Sequence, residues 1–189
     1  EISACLVGSE MCIRDSQDPM RGTAPHMTIE ENLALAYLRT AKHQRAFFSR
    51  VSKADKAFFR EQLARLDMGL EDRMRQPVGL LSGGQRQALT LLMATLKKPK
   101  LLLLDEHTAA LDPKTAEVIM ALTDRVIREK HLTAMMVTHN LRYAVEYGDR
   151  ILMMNRGRVV LDRAGAEKRA TSMDDILTMF NQISLETGN

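Results

Sequence analysis

Two adjacent carboxylates, Asp105 and Glu106, directly follow an apolar run at residues 101–104. An unbroken run of this kind predicts a parallel strand that is buried on both faces. Open α/β sheets bind their ligands at the carboxyl ends of the strands. We therefore predict that Asp105 binds Mg²⁺, directly or through water, and that Glu106 lies beside an attacking water. The simpler alternative is a solvated strand end without function.

A histidine, His139, follows the next predicted strand at residues 133–138. Because parallel strands end at the same edge of a sheet, this prediction places His139 at the edge that carries Asp105. An imidazole there could hydrogen-bond a γ-phosphate or position the attacking water. A lone histidine is more often structural, and it is the neighbouring Asp-Glu pair that favours the functional interpretation.

The sequence Ser82-Gly83-Gly84-Gln85 opens a predicted helix. Two glycines allow a ligand to approach the backbone, and a helix N-terminus presents unsatisfied N–H groups and a partial positive charge to an anion. The predicted ligand is therefore a phosphate. By itself the Ser-Gly-Gly sequence is also compatible with an ordinary N-cap followed by a flexible turn.

The elements that must position these residues change in type at Pro77. Thr28 and Glu31 form a capping box, and apolar residues at helical spacing predict a helical region from residue 28 to about 75. After Pro77 strands and helices alternate, which predicts a βαβ arrangement. The predicted elements there are a helix at 82–96, strands at 101–104 and 133–138, a helix that begins at Asp112-Pro113, a helix at 141–147, a hairpin around Asn155-Arg156-Gly157 and a final helix at about 171–183.

The composition fits one soluble globular domain. The chain has 189 residues, of which 45% are hydrophobic and 27% are charged, and this excludes a disordered tail or a fibrous repeat. No apolar run approaches the roughly 18 residues of a membrane span. The net charge of +3 is weak for a dedicated nucleic-acid binder. Two cysteines, Cys5 and Cys12, are too few for a disulfide framework and suit a reducing, cytoplasmic interior.

The first sixteen residues are predicted to lie outside the fold. Residues 6–16 show neither strand alternation nor a helical period, and the stretch resembles a translated sequencing adapter. The competing interpretation, a secretory signal, lacks a basic start and an apolar middle. A second open question is the basic stretch at residues 39–60, which fits a solvated helix face or a surface for nucleic acid or anionic lipid.

Taken together, the motifs resemble the nucleotide-binding subunit of ABC transporters over about residues 17–162. The six matching features, in the family's order, are Gln17 as the Q-loop glutamine, residues 81–87 as the signature motif, 101–105 as the Walker B strand, Glu106 as the catalytic glutamate, 110–112 as the D-loop and His139 as the switch histidine. Their order and spacing make the resemblance specific. His107 stands where most of the family has proline, and this fits a bacterial uptake subgroup labelled as tryptophan/tyrosine or uncharacterised transport.

The resemblance implies an α/β fold: the C-terminal part of a P-loop NTPase (RecA-like) ABC ATPase core with an inserted α-helical subdomain. The implied divisions are a non-native leader at 1–16, the Q-loop at 17–27, the α-helical signature subdomain at 28–80, the remaining ATPase core at 81–165, and a C-terminal helix and tail at 166–189.

The resemblance also implies ATP and Mg²⁺ as cofactors and assigns residue roles. The implied catalytic residues are Glu106, His139 and Gln17, the implied Mg²⁺ contacts are Asp105 and Gln17, and the implied nucleotide contacts are Ser82, Gly83, Gly84, Gln85 and Asp112. The implied partners are a second ATPase subunit in head-to-tail contact, a membrane permease docked on residues 17–33 and a substrate-binding protein, with no nucleic acid. The implied location is the cytoplasmic face of the cell membrane.

The phosphate loop of this family, Gly-x-x-x-x-Gly-Lys-Ser/Thr, does not occur in the 189 residues, and no glycine is followed by lysine. We therefore expect a chain without Walker A and the early strands, inactive by itself and poorly behaved in solution. Two alternatives to a transporter motor stay open: a soluble ABC-type ATPase of DNA repair or translation, and a non-catalytic fragment. Import rather than export rests on the resemblance alone.

Overall fold

The computed structural model describes residues 12–15, 22–39 and 51–186. Their elements are β1 (Cys12–Asp15), α1 (Ile29–Arg39), α2 (Lys53–Ala64), a 3₁₀ turn (Val78–Leu80), α3 (Gly83–Thr95), β2 (Leu101–Asp105), α4 (Pro113–Lys130), β3 (Ala134–Val137), α5 (Leu141–Glu146), β4 (Arg150–Asn155), β5 (Arg158–Ala164), α6 (Gly165–Ala170) and α7 (Met173–Glu186). The chain divides into two compact units, Glu1–Val137 and Thr138–Asn189. The boundaries implied at residues 80/81 and 165/166 therefore lie inside these units.

The first unit is built around a parallel sheet in the order β1-β2-β3. The central strand β2 pairs Leu102 with Ala134 and Asp105 with Val137 on β3. Helix α4 connects β2 to β3, as the predicted βαβ arrangement requires. The α/β fold class is therefore confirmed.

The prediction that β2 is buried on both faces is wrong for the described structure. Burial alternates along the strand: Leu102 and Leu104 are 0% and 2% exposed, whereas Leu101 and Leu103 are only partly buried. The covered face shares a hydrophobic core with Leu89 of α3. Alternating burial is the pattern of a sheet whose two faces are covered unequally.

Strand β1 is a second departure from the sequence pattern, because residues 6–16 predicted no strand. The structure places Cys12–Asp15 in parallel register with residues 101–104, with Cys12 opposite Leu101. Pairing with a neighbouring strand is a tertiary contact, which side-chain alternation within four residues does not reveal.

Helices α1, α2, α3 and α4 share one core with the sheet. Leu33, Phe59, Leu89 and Ile119 are each 1% exposed or less, one on each helix. The ring of Phe59 meets that of Tyr37 edge to face, with 5.8 Å between the ring centres. The predicted apolar stripes of the first two helices therefore do face the core.

The predicted helical region from residue 28 to 75 is shorter in the structure. Its start is confirmed, because the Thr28 amide donates to Glu31 Oε2 at 2.7 Å and the Glu31 amide donates to Thr28 Oγ1 at 3.3 Å. Helix α2 ends at Ala64, and Asp67 and Gly69 follow with φ values of 56° and 66°. Such left-handed residues end a helix, so the chain after Leu66 consists of turns.

The second unit contains the antiparallel hairpin β4–β5 with helices α5, α6 and α7. Its small core consists of Ile151, Leu161 and Ile176, with Met153 and Met179 packed against it. The hairpin turn was predicted, and both of its central residues have positive φ, 48° at 156 and 76° at 157. Across the described residues of both units, none of the helices combines the length and apolarity needed to cross a bilayer.

The alternating burial of β2 predicts that neighbouring leucines contribute unequally to stability. We expect Leu102→Ala to lower the free energy of unfolding by about 2–5 kcal/mol, because it leaves a cavity in a fully buried site. Leu103→Ala, the matched control on the other face, should cost roughly half of that or less. Urea denaturation of both variants measures the difference, and equal losses would contradict the one-sided burial of the strand.

Candidate functional site

The carboxylates Asp105 and Glu106 lie at the carboxyl end of β2, and both are partly buried. The Glu106 amide donates to the carbonyl of Val137 at 2.9 Å, which extends the β2–β3 pairing by one residue. The Glu106 carbonyl accepts from the Ala109 amide at 2.9 Å, so a tight turn follows at once. The strand edge predicted for the two acids is therefore present.

The backbone of Glu106 is left-handed, with a φ of 48°. This conformation costs roughly 1–2 kcal/mol in a residue with a Cβ and persists where surrounding contacts enforce it. Residues held in such conformations are concentrated at functional sites. The strain at Glu106 is a signal that the sequence pattern did not carry.

The predicted Mg²⁺ contact of Asp105 stays a prediction. Among the described residues, no group of three or more His, Cys, Asp or Glu side chains could hold a metal ion. Mg²⁺ in nucleotide sites is held by one or two protein carboxylates, and phosphates and water supply the other ligands. The carboxylate pair at the end of β2 is compatible with a site of that kind.

His107 is the residue after Glu106 in this turn, and it is only 3% exposed. Its Nε2 lies 3.2 Å from Oγ1 of Thr123 on α4. Burial lowers the pKa of this imidazole from 6.5 to about 4, since the charged form would lose its hydration. His107 is therefore neutral at pH 7.

Residues 81–87, called the signature segment below, have the geometry of a capped helix start. The Ser82 amide donates to Gln85 Oε1 and the Gln85 amide donates to Ser82 Oγ, each at 3.2 Å. Because the Ser82 oxygen accepts this bond, the hydroxyl keeps a proton that it can donate to a phosphate. Ser82 and Gly83 are exposed at the N-terminus of a 13-residue helix, whose partial positive charge favours an anion.

Close packing requires a glycine at residue 84, which the sequence pattern did not show. A Cβ added to Gly84 would lie 2.4 Å from the Thr115 methyl carbon, and one added to Gly83 would lie 3.1 Å from a Leu111 methyl carbon. The start of α3 therefore rests directly on α4 and the turn before it. This contact brings the signature segment against the turn that follows Glu106.

Asp112 is the N-cap of α4, as predicted. Its Oδ1 accepts from the Thr115 amide at 3.1 Å. Hydrogen bonds from the Thr115 side chain and, secondly, from its amide lower the pKa of the exposed carboxyl below its ordinary value. Thr115 thus contacts Asp112 through its amide and Gly84 through its methyl group. Sequence reasoning missed Thr115, because nothing in the local pattern marks a residue that joins two segments.

Two predicted site residues lie outside the described part of the first unit. His139 belongs to the second unit, where it is exposed and precedes Asn140, whose Oδ1 caps α5 by accepting from the Arg142 amide at 3.0 Å. Gln17 lies outside the described residues. The predicted roles of both stay predictions.

The part of the predicted permease-docking segment that is described, residues 22–33, is held by Asn32. This side chain is 1% exposed, accepts from the Ala24 amide at 2.8 Å and donates to the Thr28 carbonyl at 2.9 Å. The same loop pairs with the chain that leads to Ser82, because the Gly79 amide donates to the Pro25 carbonyl at 2.8 Å. The loop before α1 and the chain that leads to Ser82 are therefore linked by a backbone hydrogen bond.

A groove of about 630 Å³ opens beside the start of α1. Its walls come from Glu30, from Lys56 and Arg60 of α2, and from residues 71–76. Lys56 pairs with Glu30 at 2.7 Å, and Arg60 pairs with Asp72. The groove is thus lined by charges of both signs.

Comparison with known proteins gives one family. A family model described as ABC transporter matches residues 15–109. A tyrosine transport ATP-binding protein of Clostridioides difficile is 43% identical over 172 residues, which cover 91% of this chain and 67% of that protein. An aliphatic sulfonates import ATP-binding protein, SsuB 1 of Burkholderia cenocepacia, is 47% identical over 98 residues, which cover 52% of this chain and 31% of that protein.

Solved structures show the same fold. The ADP conformation of an ATP-binding cassette of an ABC transporter superposes with a TM-score of 0.66 at 24% identity, over 94% of this chain and 68% of that one. A dimeric, post-hydrolysis ATP-binding cassette bound to ADP and Pi has a TM-score of 0.64 at 26% identity, over 82% and 62%. The chain thus spans about two thirds of these two cassettes.

The contact between Gly84 and Thr115 predicts unequal effects of two alanine substitutions. Gly84→Ala should lower the free energy of unfolding by about 1–3 kcal/mol, because the new methyl group overlaps a stiff, β-branched side chain. The matched control Gly83→Ala should change stability by only about 0.5 kcal/mol, since it meets the far end of a flexible leucine. Thermal unfolding of the two variants measures this. Equal stability would show that α3 does not rest on α4 at Gly84.

Buried His107 predicts a pH dependence of stability. Below pH 6.5 the unfolded chain binds a proton at this imidazole, whereas the folded chain does so only near pH 4. The free energy of unfolding should therefore fall by up to roughly 3 kcal/mol as the pH drops through this window. Denaturation at several pH values should show a weaker decline for His107→Gln, which cannot titrate. Identical pH profiles would contradict the burial of a neutral imidazole.

Proposed function

We propose that this chain, which belongs to the ABC transporter family, forms part of an ATP-binding and ATP-hydrolysing subunit that drives a bacterial solute importer. The observation that carries this proposal is the position of the exposed, capped start of α3. It rests on α4 where Gly84 meets Thr115, and on the turn that follows Glu106 where Gly83 meets Leu111. The start of α3 and the turn after the strand-end carboxylate pair are thus held together at the start of α4, and we propose that both act on nucleotide.

The proposed reaction is hydrolysis of MgATP. Asp105 would hold the Mg²⁺, which neutralises charge on the phosphates. Glu106 would orient the attacking water toward the γ-phosphate and accept its proton as a general base. We assign His139 and Gln17 to the same γ-phosphate and water, with Gln17 also at the Mg²⁺; these two assignments rest on the family resemblance.

The signature segment would act on nucleotide held by a second subunit in head-to-tail contact. The Ser82 hydroxyl, the amides of Gly83 and Gly84 and the Gln85 side chain would donate to the γ-phosphate at the positive end of α3. Asp112 would contact the same interface from the start of α4. Because bound ATP is needed to join the two faces, ATP binding closes the dimer and hydrolysis releases it.

Hydrolysis requires a phosphate loop, and no Gly-x-x-x-x-Gly-Lys-Ser/Thr sequence occurs in these 189 residues. We therefore propose that the 189 residues alone neither bind ATP tightly nor hydrolyse it. A segment with that loop has to complete the site, since its amides and lysine hold the β-phosphate.

The membrane permease is proposed to dock on residues 17–33. Asn32 fixes the loop from Ala24 to Thr28, and the Gly79–Pro25 hydrogen bond ties that loop to the chain leading to Ser82. Movement of a docked permease helix would thus reach the signature segment through few contacts. This docking places the subunit peripherally at the cytoplasmic face of the membrane.

The transported solute is proposed to be an amino acid, delivered by a substrate-binding protein. The support is the similarity to the tyrosine transport protein, which extends over 91% of this chain, against 52% for the sulfonate protein. Uptake of labelled tyrosine by cells that carry the complete system, compared with cells lacking it, tests this class. Equal uptake by both would rule out tyrosine.

The role of Glu106 can be tested in a chimera that joins a segment carrying Gly-x-x-x-x-Gly-Lys-Ser/Thr to residues 17–189. We expect the chimera to hydrolyse ATP and Glu106→Gln to lower kcat by about a hundredfold or more, since an amide cannot accept a proton from water. Binding of a fluorescent ATP analogue should be retained.

The matched control for this substitution is Glu61→Gln on the exposed face of α2, which should leave kcat unchanged. The residues 17–189 without the added phosphate-loop part should show no hydrolysis. Full activity of the Glu106→Gln chimera would remove Glu106 from the mechanism, and hydrolysis by the 189 residues alone would contradict the need for a phosphate loop.

A further inference from the structure

The geometry points to His107 and Thr123 as positioning residues for Glu106, and we propose that their buried hydrogen bond holds the turn in which Glu106 is left-handed. This inference rests on the proposed function, in which Glu106 orients the attacking water. Neither side chain is assigned to substrate or metal, so both would act through the backbone of the turn.

Glu106 needs such support because its conformation is unfavourable by itself. With a φ of 48°, the residue lies in a region that side chains with a Cβ seldom adopt. Its amide is held by Val137 and its carbonyl by Ala109, each at 2.9 Å. These two bonds fix the peptide groups on either side of Glu106, and the next residue, His107, determines where the turn is anchored in the protein.

The anchor is a side-chain pair with one possible hydrogen arrangement. Thr123 Oγ1 donates its only proton to the Ile119 carbonyl at 2.7 Å, since a carbonyl can only accept. In the 3.2 Å contact with His107, the Thr123 oxygen must therefore accept, and His107 Nε2 must carry the hydrogen. The geometry thus selects the Nε2–H tautomer of a neutral imidazole.

Burial makes this pair more restrictive than an apolar contact would be. His107 and Thr123 are 3% and 2% exposed, so neither can replace its partner with bulk water. Leaving a buried polar group without its partner costs free energy. The hydrogen-bonded pair therefore favours the one orientation of the turn in which both partners are satisfied. An apolar side chain at residue 107 would fill the space without selecting an orientation for the turn.

Helix α4 supplies both supports of the proposed site. Thr115 in its first turn packs against Gly84, and Thr123 further along holds His107. The signature segment and the Glu106 turn are thus fixed to one rigid element. This arrangement explains how a turn with a strained residue keeps a defined position relative to α3.

The test compares Thr123→Val, which keeps the shape but removes the hydroxyl, with Thr123→Ser, which keeps the hydroxyl. NMR of the 189-residue chain reports three things: the ¹⁵N shifts of the His107 ring, the ¹³Cα and ¹³Cβ shifts of Glu106, and hydrogen exchange of the Glu106 amide. In Thr123→Val we expect loss of the fixed Nε2–H tautomer, Glu106 shifts that move away from left-handed values, and amide exchange faster by about tenfold. Thr123→Ser should restore all three.

A Thr123→Val variant that folds with unchanged Glu106 shifts and exchange would overturn the proposal. If Thr123→Val does not fold, the comparison moves to His107→Gln, which offers an N–H donor, and His107→Leu, which does not. The proposal is supported if Glu106 keeps the chemical shifts of a left-handed residue in His107→Gln and loses them in His107→Leu. Equal Glu106 shifts in the two variants would overturn it.

These readouts need no nucleotide, so they separate the inference from the proposed function. Should Glu106→Gln leave the chimera fully active while the NMR comparison succeeds, the catalytic assignment fails and the anchoring of the turn stands. Should Glu106→Gln abolish the activity of the chimera while the NMR comparison fails, Glu106 acts in hydrolysis but its turn is held by other contacts.

Discussion

The arrangement of the first unit depends on the close approach of α3 to α4. Gly84 permits this approach, because a Cβ there would overlap the Thr115 methyl group at 2.4 Å. With the two helices in contact, the capped start of α3 lies against the turn after β2, and Asp112 caps α4 beside it. The start of α3 and the turn after the carboxylate pair are therefore both held against the start of α4.

Buried polar side chains fix the irregular segments of this unit. Asn32 holds the loop before α1, and Thr123 holds His107 below the Glu106 turn. Loops cannot rely on helix or sheet ladders to satisfy their backbone, so a buried side chain that makes several bonds specifies their shape. The segments on which the proposed function depends are thus ordered by a small number of polar contacts.

Much of the local structure could be predicted from the sequence. The capping box at Thr28, the helix start at Ser82 and the N-cap at Asp112 are confirmed, because each depends on residues a few positions apart. The helical prediction failed after Leu66, where Asp67 and Gly69 turn left-handed. Apolar residues still occur at helical spacing after Leu66, but the backbone there is no longer helical.

The sequence by itself determined the α/β fold class, the family and most of the element order after Pro77. Tertiary structure alone decided the one-sided burial of β2, the pairing of Cys12–Asp15, the contact of Thr115 with Gly84 and the left-handed turn at Glu106. The physical reason is range. Caps and periodicity act between neighbours along the chain, whereas burial, steric overlap and strain depend on residues that only folding brings together.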